Sequence, residues 1–175
     1  MGSLTGDTIG SLLQKPSKPI NLALEWWFDP LPTIENDEIE VKWEEAVESQ
    51  RKEYRDVFWE SRDETINCVV FERSDEYETT VANMCATHDG FRLGLSEDYY
   101  EAVDPSILDT FLSIIARHEL CHVEAFCRNL EWYEEDSDDM ERLWYMARAP
   151  KTVCVEQEKA HYPFYGWSDI DEVPP

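Results

Sequence analysis

Between Ile39 and Phe58 the apolar residues Ile39, Trp43, Ala46, Val47, Tyr54, Val57 and Phe58 return at steps of three and four, separated mainly by Glu, Lys, Arg and Gln. That period puts them on one stripe and predicts an amphipathic helix over 39–58. The pattern then changes. Residues 67–72 bring Val69, Val70 and Phe71 together, and residues 78–86 carry Thr79, Thr80 and Val81. Residues 91–96 alternate Phe91, Leu93 and Leu95 with Arg92, Gly94 and Ser96. These three runs predict strands, the last of them half-buried. Asp89-Gly90 is a turn pair and predicts a hairpin between the second and third strands.

Asp104-Pro105-Ser106 is a helix-start signal. The helix it opens is expected from about Ser106 to Cys127, its stripe Leu108, Phe111, Leu112, Ile115 and Phe126 taking in His118 and His122. A further helix is expected over 134–147, with Met140, Leu143, Trp144 and Ala147 inward and Pro150 beyond its end. A last short helix or turn over 153–162 stops at Pro163. Residues 2–32 hold four prolines and the apolar cluster Leu22, Leu24, Trp26, Trp27 and Phe28. They read as an extended arm that the cluster pins to the domain or to a neighbour. The expected organisation is an arm over 1–35, an α+β domain over 36–167 and an acidic tail over 168–175.

Composition narrows the classes. The chain has 175 residues, one domain's worth, and its seven Trp, eight Tyr and seven Phe supply a core despite 31% charged residues. No apolar run approaches the roughly 18 residues of a membrane span. Residues 1–24 lack the basic and apolar regions of a secretory signal. The expectation is a soluble chain, cytoplasmic or virion-associated, with no membrane partner. Five cysteines at irregular spacings, with no CxxC pair, read as free thiols in a reducing compartment. The formal charge of -24 disfavours nucleic acid, because phosphates would be repelled. A high-salt host, a basic partner, or a few acidic runs such as 134–139 would each account for that charge.

The candidate chemistry lies in His118-Glu119-Leu120-Cys121-His122, an H-E-x-x-H pattern inside the helix expected from Ser106 to Cys127. Residues four apart share a helix face, so His118 and His122 are spaced to hold one Zn²⁺. Glu119 stands beside them as a candidate general base. Only four histidines occur in the chain, and two of them stand at this spacing with an acid between. Cys121 is one position off the histidine face and is not counted as a ligand.

A helix, a small strand set ending in Phe91–Ser96, and a helix bearing His118-Glu119-Leu120-Cys121-His122-Val123 together resemble the minimal zincin metallopeptidase core. The likeness is greatest to SprT-like and ImmA/IrrE-like domains, covers about residues 36–128, and is specific only in the five-residue motif. It implies a small, mainly antiparallel sheet packed on an N-terminal helix and on the motif helix. It also implies that Phe91–Ser96 is the edge strand along which a peptide or protein substrate lies as an added strand. The chain departs from relatives of this kind in two places. The His-Gly segment that follows the motif in SprT-like domains is missing, and Ala125 and Arg128 stand where metzincins have Gly and a third His. Three candidates for the third zinc ligand stay open. Glu156, in Glu156-Gln157-Glu158-Lys159-Ala160, resembles the ligand helix of ImmA/IrrE-like enzymes. His161 offers the best ligand chemistry. Glu141 lies nineteen residues after His122, a separation like that of gluzincins.

The function expected on this basis is a zinc-dependent metallopeptidase, in which Glu119 takes a proton from a zinc-activated water and returns it to the leaving amine. Tyr162, Tyr165 and His161 are candidates for a second electrophile. The alternative is a non-catalytic acidic structural or interaction protein, such as a virion or assembly component reached through the N-terminal arm, on the same scaffold.

Overall fold

The computed structural model describes residues 32–72, 81–130 and 137–149. Its first helix, α1 (Asp37–Glu53), starts where Asn36 Oδ1 accepts the Ile39 N–H at 3.3 Å. Asp37, Glu38 and Glu40 in the first turn and Arg51 and Lys52 in the last complement the helix dipole. The helix ends at Glu53, short of the expected Phe58. Arg51 donates to the carbonyls of Ser61, Arg62 and Glu64 at 3.1–3.3 Å and so holds the returning chain. Phe58 is nonetheless buried, in a turn, which is why the apolar period runs past the helix.

Four strands follow the order β1-β2-β4-β3, where β1 is Thr33–Ile34, β2 Ile66–Phe71, β3 Ala82–Thr87 and β4 Gly90–Ser96. β1 pairs antiparallel with β2, β2 parallel with β4, and β4 antiparallel with β3. The expected hairpin is present, with Thr87 opposite Gly90 and Thr87 Oγ1 donating to Asp89 at 2.9 Å. Gly90 has φ +154°, and a Cβ there would collide with the Thr65 carbonyl.

One expectation is corrected. The strand over Phe91–Ser96 is internal, because β2 and β3 occupy both of its edges, and among the described residues the edge strands are β1 and β3. Its alternation misleads because Gly94 and Ser96 are buried along with Phe91, Leu93 and Leu95. β4 is buried on both of its faces, save for half-buried Arg92, as internal strands are.

After β4 come a short helix α2 (Glu97–Ala102), a single tight turn over Pro105–Ile107, and the long helix α3 (Leu108–Cys127). Asp104 accepts the Ser106 N–H at 2.8 Å, which holds its carboxyl below the usual range. α3 packs on α1, on β3 and on the last described helix, α4 (Asp138–Ala147). The face carrying Phe91, Leu93 and Leu95 meets these helices. Phe91 packs edge-on against Phe126 at 5.4 Å, and Trp43 Nε1 donates to the Leu93 carbonyl at 3.0 Å. From Phe111 to Cys127 only Ser113 and His122 are not buried, so α3 is a central helix rather than a surface one with a single stripe. The described part is α+β, with four helices and a small sheet. Among these residues no helix is long and apolar enough to cross a membrane.

Candidate metal centre

α3 carries His118 and His122 one turn apart, and the turn brings their Nε2 atoms to 3.2 Å. The rings meet nearly edge to face, with centroids 4.8 Å apart. His118 is 1% exposed and Glu119 3%, whereas His122 is half-buried, so the pair is open on the His122 side. Two nitrogens each about 2.0–2.1 Å from a tetrahedral zinc lie about 3.3–3.4 Å apart. The observed separation is close to that bite. It also suits one N–H···N bond between neutral rings, which would make one imidazole the Nε2–H tautomer.

Trp144 of α4 closes one side of the pair. Its ring stacks on His118 with centroids 5.4 Å apart and planes 20° from parallel, and stands edge-on to His122 at 6.2 Å. Its Nε1 is buried and has no hydrogen-bond partner among the described residues. A buried donor left unpaired costs about 1–3 kcal/mol, so an orphan at this place calls for an explanation.

Several contacts fix α4 in position. Ser137 caps its start, accepting the Met140 N–H at 3.2 Å. Its end is a Schellman turn, with Ala149 N–H to the Trp144 carbonyl at 2.9 Å, Arg148 N–H to that of Tyr145 at 3.2 Å, and Arg148 left-handed at φ 52°. Arg117, next to His118 in sequence and 6% exposed, donates to the Arg148 carbonyl and to the Tyr54 hydroxyl, both at 3.1 Å. One guanidinium thus ties the ends of α1 and α4 to the motif helix. A cation at the C-terminus of α4 is also favourable to its dipole.

One turn past the motif, Glu124 is fully buried and fully used. It accepts the backbone N–H groups of Glu60 and Ser61 at 3.2 and 2.9 Å, the Ser61 hydroxyl at 2.9 Å, and Arg128 Nε at 2.6 Å. Arg128 also donates to the Val57 carbonyl. The residue at the metzincin third-histidine position therefore has a structural partner. Sequence reasoning missed Arg117, Glu124 and the role of Trp144. An acid and a base four apart on an otherwise apolar helix were the available signal for Glu124 and Arg128.

The third-ligand candidates divide. Glu141 lies on α4 but is exposed, and among the described residues no group of three His, Cys, Asp or Glu side chains is placed to hold a metal. Glu156, Glu158 and His161, like Tyr162 and Tyr165, lie outside the described residues, as do the arm over 1–31, the expected helix over 153–162 and the tail. Of the remaining histidines, His88 is exposed in the β3–β4 turn. Cys68 and Cys121 are free thiols. Burial pushes the Cys121 thiol well above its ordinary value, and burial followed by Glu44 and Glu48 pushes that of Cys68 up to about 12.

No family model matches the chain, and no curated protein or solved structure matches it either.

Proposed function

We propose that the chain is a zinc-dependent peptidase. The observation that carries this reading is the 3.2 Å separation of His118 Nε2 and His122 Nε2, near the bite of a tetrahedral zinc, on the helix turn that also bears Glu119. The two imidazoles would hold the metal, and Glu156 would complete the protein ligands, with His161 as the alternative. Zinc bound there would supply Lewis-acid activation of water and of a peptide carbonyl. Glu119 is the proton carrier. It takes a proton from the attacking water and delivers it to the leaving amine.

The substrate backbone would add to β3 rather than β4. β3 is last in the strand order, and it packs against α3, so a peptide laid on it would pass beside the motif helix. Hydrolysis of casein or an unbiased peptide library by the zinc-loaded protein tests the reading, with Glu119→Gln as the control. The substitution should abolish cleavage while zinc is retained. A wild type that binds zinc and cleaves nothing, or a Glu119→Gln chain that cleaves as well, would sink the peptidase.

The charge of -24 and the exposed acids of α1, Asp37, Glu38, Glu44, Glu45 and Glu48, support a second reading, an acidic interaction protein on the same scaffold. Such a protein would bind a basic partner in a salt-sensitive way and be indifferent to Glu119→Gln.

A further inference from the structure

We infer that Trp144 is the ligand-facing wall of the histidine site: it positions His118, and its indole N–H donates to an oxyanion, such as a carboxylate or hydroxamate oxygen, bound beside the two imidazoles. The inference rests on the metal-site reading above and adds a residue that the motif does not contain. Two buried indoles in this fold set the argument. Trp43 Nε1 has a carbonyl partner, that of Leu93 at 3.0 Å, whereas Trp144 Nε1, in a residue 2% exposed, has none among the described residues.

The orphan belongs to a ring that touches both imidazoles, at 5.4 Å from His118 and 6.2 Å from His122. Parallel stacking on His118 limits rotation of that ring, which keeps its Nε2 aimed at His122. The Schellman turn and the Arg117 bond to Arg148 hold Trp144 in place without using its N–H. A phenylalanine would give the same stack with no unpaired donor. The donor is thus available to an entering ligand, and the complement of a buried N–H is an oxygen acceptor, best a charged one.

The test uses the full chain, wild type and Trp144→Phe, with Co²⁺ as the probe metal and acetohydroxamate as the probe ligand. Co²⁺ uptake is read from visible absorption, and acetohydroxamate affinity from its effect on that spectrum. Trp144→Phe should bind Co²⁺ within about twofold of wild type and acetohydroxamate about tenfold more weakly. In the zinc-loaded wild type, the Trp144 indole proton resonance should move downfield when acetohydroxamate is added. That resonance is assigned from the Trp144→Phe spectrum or, if the variant does not fold, from nuclear Overhauser contacts to His118. Unchanged acetohydroxamate affinity in a folded variant, or an indole resonance that stays put, overturns the inference alone. A wild type that takes up neither Co²⁺ nor Zn²⁺ removes the metal reading, and the inference with it.

Discussion

Two buried polar clusters lie one turn apart on α3, and they are built on opposite terms. Around Glu124 the carboxylate meets two backbone donors, a hydroxyl and a guanidinium, all at 2.6–3.2 Å. Around His118 and His122 two ring nitrogens face each other at 3.2 Å beside an indole N–H with no partner among the described residues. A saturated network of the first kind fixes the structure, because no member has anything left to offer. A cluster with an unpaired donor holds binding capacity in reserve, at a cost in stability that the rest of the fold must offset. The proposed function assigns the structural part to Glu124 and the chemical part to Glu119 within a single helix, where the sequence shows only two glutamates five residues apart.

Exchanging each acid for its amide separates the two clusters most sharply. Glu124→Gln turns an acceptor into a donor facing Arg128 and backbone N–H groups, and should lower stability by about 3 kcal/mol in urea denaturation. The zinc-loaded protein should gain about 2.7 kcal/mol at a free zinc concentration one hundred times Kd, seen as a higher Tm that a chelator reverses. If Glu124→Gln gave the same increment per folded molecule, the two clusters would be shown to act independently.

Smaller effects sharpen the picture. Arg148 occupies a left-handed position that favours glycine, so Arg148→Gly should stabilise the apo protein by about 0.5–1 kcal/mol in the same assay. The Arg117 bond goes to the Arg148 carbonyl, which the substitution leaves in place. Least of all should change with Glu119→Gln. On the peptidase reading, loss of the charge at buried Glu119 should change apo stability by less than Glu124→Gln does. Equal destabilisation by the two amides would mean that both clusters are structural.

Much of this arrangement was legible in the chain, and the exceptions have physical causes. The i, i+4 spacing of His118 and His122 is local, so the sequence carried it whole. The inward set Met140, Leu143, Trp144 and Ala147 was equally plain from period, and all four are buried. What Trp144 faces depends on how α4 docks, which a period cannot show. The helix ends were obscured for another reason. α3 and α4 both close in Schellman turns, but Asn129 at φ 66° and Arg148 at φ 52° stand where glycine would have announced the stop. The edge strand was misjudged because alternation reports burial of one face only. In β4 the small residues Gly94 and Ser96 lie on a second buried face, where a Cβ on Gly94 would press on the Asn83 side-chain oxygen and the Phe71 ring. α2, six residues long, is too short to show a period at all.

Elemental analysis decides whether the His118–His122 pair holds a metal. Wild type and His118→Ala would be purified in parallel, supplied with zinc and freed of excess. One zinc per wild-type chain, absent from a folded His118→Ala, is the predicted result. A well-folded wild type without zinc, or a variant that holds as much, would contradict it.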